Sequence, residues 1–323
     1  MTRQEALEKW KKESEPLCSQ AKEEFLQNLE NKTDELADTL KHVLEQLQEQ
    51  TVLLEKEKMM FLIFSLLHCD ILNGTYQILA QVLDARWYQD PEPAEVFFKL
   101  DFLFPMVEEL KKSLSQESRK YLGKVNSYDI DEVIRTTAME CNGLLAQQLR
   151  FMLRDIEENE AFAAIEKLDI WGIYWGEYRD QNEVIAHVDR EKKTQLDWDR
   201  ALRGTKDEEL AMAFGFWYGA ELKGSDCRNK QLPFIQFEDC CLDGICFDEA
   251  VLSGARFRNC RIKNCSFRNT VMCQADFENC TWEENDFTGA ALEHSIFPES
   301  ELPFVHLEPE QLQVILIDRR QKA

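Results

Sequence analysis

The sequence predicts a two-domain α+β protein: an N-terminal all-α helical bundle over residues 1–206, then a β-solenoid over residues 220–307 flanked by capping helices at 207–219 and 308–323. Three observations carry this expectation. From Leu222 to Leu307 every fifth residue is apolar without exception. The first 200 residues show helical spacing and no β-alternation of any length. The chain of 323 residues is long enough for two domains, each with its own core.

In the N-terminal part, Phe25, Leu29, Leu36, Leu40, Val43, Leu47 and Leu54 follow steps of three, four and seven, one face of a long helix. Thr33 and Gln50 break the heptad, which favours a bundle helix over a coiled coil. A second helix is expected from Lys58 to Trp87, with Met59–Leu67 as its apolar centre, too short to span a bilayer. Gln89–Pro93 then forms a break, because proline stops helices and restrains the residue before it. Further helices are expected over 102–114, 118–124, 130–160 and 180–203. A short one at 207–219 would place Phe214, Phe216 and Trp217 over the open end of the solenoid.

The repeat dominates everything else. Eighteen positions at steps of five from Leu222 are all apolar, which at 44% apolar content would arise by chance about once in a million. Two residues before each large position most residues are small, such as Ala220, Cys240, Ala255, Cys260, Thr270 and Cys280, with Lys230, Ile235, Ile245 and Asn285 as exceptions. Two residues after it, Gly or Asn recurs at nine positions from Gly224 to Gly289, types that tolerate turn dihedrals. One large inward residue, one small inward residue and a turn make one side of a square.

Segments such as AVLSG, ARFRN, ADFEN and AALEH resemble the pentapeptide-repeat family. The resemblance implies a short right-handed quadrilateral β-helix with four repeats and twenty residues per coil. It also implies a surface that binds a macromolecule, since the best-known members protect DNA gyrase by imitating B-DNA. In those relatives a C-terminal element makes the dimer; here the tail helix is expected to cap the tube, with a homodimer as the alternative. About −16 of the −23 formal charge lies before residue 220 and only about −7 within 220–307. Duplex DNA presents a charge per ~1.7 Å, so the solenoid is a weak mimic. Counting twenty residues places Glu238 and Glu278 beside Arg258, Asp243 and Glu283 beside Lys263, and Asp248 beside Arg268, a ladder of opposite charges.

The acidic balance argues against direct nucleic-acid or anionic-membrane binding and for a protein partner. The first twenty residues are charged throughout and lack a signal-peptide core, so the eleven cysteines are expected as thiols in the cytoplasm. Cys240, Cys260 and Cys280 fall one coil apart and should stack inward; no CxxC pairs suggest a metal site. The five histidines pair with no obvious nucleophile, and no nucleotide or cofactor fingerprint is present, so no enzyme and no cofactor is expected. In the N-terminal domain, Trp171, Tyr174, Trp175 and Tyr178 recur at three and four, an aromatic helix face that is either core or a partner-binding patch. On the second reading Trp171, Trp175 and Tyr178 anchor the partner, and Glu177, Arg179 and Asp180 orient it.

Overall fold

The computed structural model describes residues 1–204 and 212–318, and the chain divides into two units, Met1–Ala186 and His187–Ala323. In the first, Thr2 and Glu5 form a capping box that starts α1 (Arg3–Asn31), which buries Trp10, Phe25 and Leu29. The long helix expected here is broken at Lys32, where α1 ends and α2 (Thr33–Leu53) begins. The break falls at Thr33, the heptad failure, whose hydroxyl donates to the Leu29 carbonyl at 2.9 Å. From there α2 buries Leu36, Leu40, Val43, Leu44 and Leu47 on the expected face.

The all-helical expectation for this unit is corrected by five strands. Met59–Leu66 is β1, followed by the short α3 (His68–Ile71), β2 (Gln77–Leu83) and β3 (Ala94–Lys99), where a helix was expected through Trp87. Almost every residue of β1 and β2 is buried, because these strands are covered on both faces. A strand buried on both faces shows a continuous apolar run, which periodicity cannot distinguish from a buried helix. Next come α4 (Met106–Ser118), α5 (Ser127–Met152) and α6 (Glu160–Ala164), then β4 (Lys167–Glu177) and β5 (Asn182–Asp189) in place of expected helix. The sheet order is β3-β2-β1-β4-β5, with β1 antiparallel to β2 and parallel to β4.

An ion cluster closes the β2–β3 connection. Lys56, 5% exposed at its side chain, pairs with the buried Asp90 and lies 3.9 Å from Asp84. Asp84 also pairs with Arg86, and Asp90 accepts the Asp84 N–H at 3.0 Å.

The second unit begins with α7 (Gln195–Leu202), started by a Thr194/Asp197 capping box. The solenoid strands follow in coil order: β6 (Phe216–Tyr218), β7 (Glu221–Lys223), β8 (Gln236–Glu238), β9 (Cys241–Asp243), β10 (Arg256–Arg258), β11 (Arg261–Lys263), β12 (Asp276–Glu278), β13 (Thr281–Glu283), β14 (Ile296–Pro298) and β15 (Leu316–Asp318). They stack as two parallel sheets, β15-β14-β12-β10-β8-β6 and β13-β11-β9-β7. Single bridges twenty residues apart, such as Cys246 to Ser266 and Val251 to Val271, form the other two sides.

Fifteen of the eighteen large positions are buried; Trp282, Leu302 and Leu307 are partly buried and pack against the same core. Phe237, Phe257, Phe277 and Phe297 stack at 5.2, 5.0 and 4.6 Å between centroids, and Phe247, Phe267 and Phe287 at 5.2 and 4.8 Å. All nine expected Gly and Asn turn positions have positive φ.

Both solenoid ends differ from expectation. Residues 207–211 of the expected first cap lie outside the described residues, but Phe216–Tyr218 is a strand of the tube itself. The cap is α7, whose buried Trp198 packs on Trp217 at 4.7 Å and on Phe237 at 5.7 Å. Gln195 on α7 accepts the Lys223 N–H at 2.7 Å, satisfying the open edge of β7. At the far end the expected tail helix is instead a short 3-10 turn at Gln311–Gln313 followed by β15, which pairs in parallel with β14. Gln311 donates to the Phe287 and Ala290 carbonyls at 2.7 and 2.9 Å there, and residues 319–323 lie outside the described residues. Among the described residues no helix is long and apolar enough to cross a membrane.

Candidate functional site

The stretch 171–183 is a strand and hairpin rather than a helix, so its side chains alternate by two. Trp171, Ile173 and Trp175 face one side, all buried. Trp171 packs edge-on against Phe162 at 5.4 Å and belongs to the core. Trp175 stacks on Phe64 at 5.3 Å, and its indole N–H donates to Asn142 of α5 at 2.7 Å. Tyr174 faces the opposite side, beside Phe61 and Trp87.

Between α5 and the β4–β5 hairpin lies a groove of about 770 Å³, under which the Trp175 ring is fully buried. Glu177 stands at its mouth, its Oε2 2.5 Å from His68 Nε2. The α5 wall presents Arg135, Thr136, Met139, Gly143 and Ala146, and Glu183 comes from the hairpin. Contacts from α5 hold the walls at fixed separation: Asn142 donates to the Gly176 carbonyl at 3.4 Å, and Arg150 donates to the Val184 carbonyl at 2.9 Å and pairs with Glu183 at 2.5 Å. Gly176 is required by close approach, since a Cβ there would sit 2.1 Å from the Gln181 carbonyl oxygen.

Of the six residues expected as a partner-binding patch, the groove therefore brings together Trp175 and Glu177. Tyr178, Arg179 and Asp180 form the exposed hairpin tip beside it, where the Arg179 guanidinium lies 5.3 Å from the Tyr178 ring and 5.7 Å from the Tyr88 ring. Arg179 has a φ of 57°, the left-handed conformation of the turn. The α5 wall and His68 were not found from sequence. The one signal for the α5 wall is the small-residue spacing Gly143 to Ala146 in an amphipathic helix, and His68 has none.

On the solenoid, the expected charge ladder is present. Arg258 pairs across strands with Glu238 and Glu278, at 3.0 Å from the latter, and Lys263 lies between Asp243 and Glu283. Arg256 adds a contact to Asp276 at 3.3 Å. Arg268 differs in detail: its side chain reaches Asp286 at 3.8 Å, while its backbone N–H donates to Asp248. Alternating signs replace any continuous anionic stripe on these faces.

Residues 231–307 match the family model described as the pentapeptide repeat region. No curated protein matches the chain. Among solved structures, a trypsin-treated form of QnrB1, a plasmid-mediated fluoroquinolone resistance protein, is 20% identical with a TM-score of 0.24, over 26% of this chain and 47% of that one. HetL, involved in heterocyst differentiation regulation in the cyanobacterium Nostoc sp. strain PCC 7120, is 19% identical with a TM-score of 0.26, over 27% and 40%. Rfr23 from the cyanobacterium Cyanothece 51142 is 18% identical with a TM-score of 0.24, over 25% and 55%. The chain thus spans about half the length of these pentapeptide repeat proteins or less, and residues 1–206 are unmatched by the family model.

Proposed function

We propose that the protein is a non-enzymatic scaffold that captures a segment of a protein partner in the groove between α5 and the β4–β5 hairpin. One observation carries this reading: an open concavity whose walls are cross-braced by Asn142 and Arg150 and lined by charged groups such as Arg135, Glu140 and Glu177 beside Met139 and Ala146. Pre-formed clefts in which placed polar groups fix the orientation of an occupant are a usual form of recognition site. The hairpin tip, with Tyr178 and Arg179, supplies residue types that commonly anchor interfaces. In the solenoid the thiols and hydroxyls of the inward register are engaged with backbone carbonyls, as structural groups would be.

The scaffold reading is preferred to the gyrase-protecting one because the solenoid charges alternate in sign on its faces. Affinity capture with the full chain, compared with Gly143→Trp, tests it. Gly143 has free space around it, the nearest atom to an added Cβ being Glu183 Oε1 at 3.5 Å, so a larger side chain there fills the groove. A partner held by the wild type and lost by the variant supports the reading. Identical partner sets, or stoichiometric inhibition of gyrase supercoiling by both proteins, contradict it.

A further inference from the structure

The four sides of the solenoid are not alike. Over three successive coils the two outward positions of each strand carry charge at five of six places on the side starting at Gln236, four of six on the side starting at Cys241, and three of six on the side starting at Cys246. On the fourth side the six are Val251, Ser253, Val271, Cys273, Ala291 and Glu293, with one charge at the end. Val251, Val271 and Ala291 stand in one vertical column, joined by parallel bridges, and Val271 is 39% exposed. Val251, Val271 and Ala291 thus form an uncharged strip beside three sides that carry charge at three to five of six places.

One border of this side is an aromatic ledge. Phe214 and Phe234 stack at 5.0 Å and 5°, both at positive φ, where most of the other corners carry Gly, Asn or another polar residue. The Phe234 ring lies over Gly254, where a Cβ would be 2.5 Å from a ring carbon. The backbone of the side is already engaged: Leu252 donates to Val271, Val271 to Ala250 and Gly254 to Cys273. An added strand has no hydrogen bonds to make here, so an occupant must dock through side chains.

Size and charge select the occupant. Three coils at about 4.8 Å give a surface roughly 14 Å tall, the length of about nine or ten helical residues at 1.5 Å each. Its area, on the order of 200 Å², is far below the ~800 Å² per partner that a stable interface between folded proteins buries, which argues against a second copy. Glu249 and Glu293 are exposed at its borders on a chain of net charge −23. We propose that this side receives one amphipathic helix of a protein partner, with a short apolar stripe flanked by Lys or Arg. The site is independent of the groove and stands or falls separately from it.

Fluorescence anisotropy with the full chain tests this. The probe is a labelled synthetic helix of about eighteen residues, made of Leu, Ala and Lys with the apolar residues on one stripe. A peptide of the same composition with the stripe scrambled is the control. The striped peptide is expected to bind at least about tenfold more tightly than the scrambled one, and Val271→Lys, an outward change, is expected to weaken it by about tenfold or more. Thr281→Lys, on a charged side, should leave it unchanged. Val251→Lys serves if Val271→Lys lowers the melting temperature. No binding of the striped peptide, equal binding of both peptides, or indifference to the Val variants overturns the proposal. So does a concentration-dependent dimer in sedimentation that Val271→Lys abolishes, because the side then belongs to a second copy.

Discussion

At the scale of single residues, two buried polar arrangements hold the two units. In the first unit, Lys56 is buried with Asp90 and near Asp84, so Lys56→Met leaves the buried Asp90 carboxylate without its cation, while Asp84 keeps Arg86, and should cost about 3–5 kcal/mol in urea unfolding. The Arg86 guanidinium hydrogen-bonded to Asp84 holds that carboxyl below the usual carboxylate range, outweighing burial. A depressed folded-state pKa contributes stability that is present above the unfolded value near pH 4 and is lost as pH falls through the folded one. Stability should therefore decline below about pH 4, and Asp84→Asn should lack that part of the decline in acid titrations followed by circular dichroism. In the solenoid, inward small residues donate across coils to carbonyls 23 positions earlier: Cys260 to Phe237 at 3.3 Å, Cys280 to Phe257 at 3.3 Å, Thr270 to Phe247 at 2.9 Å and Asn285 to Ile262 at 2.9 Å. The register read from sequence as a size rule is also a hydrogen-bonding rule, which explains Asn285, an exception by size alone. Thr270→Val keeps the shape and removes the donor, and should cost about 1 kcal/mol in the same unfolding measurement.

At the scale of elements, the rungs of the solenoid are set by pairs one coil apart. Arg258→Glu would put a third acidic residue in line between Glu238 and Glu278, where each pair is worth about 0.2–1 kcal/mol. A loss of about 1–2 kcal/mol is expected, and the matched surface change Glu293→Lys should cost less. The five-residue step made this region legible because every strand has one inward residue flanked by two outward ones. The strands β1 and β2 were not legible for the opposite reason: they are buried on both sides, so MMFLIFSL and QILAQVL carry no alternation. The same limit hid the groove. Trp171 and Trp175 are four apart, a spacing shared by one helix face and one strand face, and only the strand makes Trp171 core and leaves Glu177 at the groove mouth. Its opposite wall comes from a helix whose contacting residues lie 33 to 34 positions away in sequence, which spacing within one segment cannot reveal.

At the scale of the whole chain, each of the two units carries its own buried core, so their unfolding can be followed separately. Differential scanning calorimetry should resolve two transitions, with Lys56→Met lowering one and Arg258→Glu the other. The ends of the tube were legible in part. Trp217 and Met212 continue the five-step register upstream of Leu222, and both are buried, so the first coil begins where a lid was expected. The true cap, Trp198, falls outside that register and had no signal in the repeat.

The central claim is that neighbouring residues of the repeat alternate between interior and surface with a twenty-residue return, and the native cysteines report this without any substitution. Cys227, Cys240, Cys260, Cys265 and Cys280 are buried, whereas Cys241, Cys246 and Cys273 are partly exposed, so Cys240 and Cys241 lie on opposite sides of the wall. Burial also pushes the Cys265 thiol up to about 11, away from the reactive thiolate. Timed alkylation of the native protein with iodoacetamide, read residue by residue by mass spectrometry, should modify Cys241, Cys246 and Cys273 and leave the five buried thiols intact until the chain unfolds. Alkylation of Cys240, Cys260 and Cys280 at the rate of Cys241 would contradict the tube.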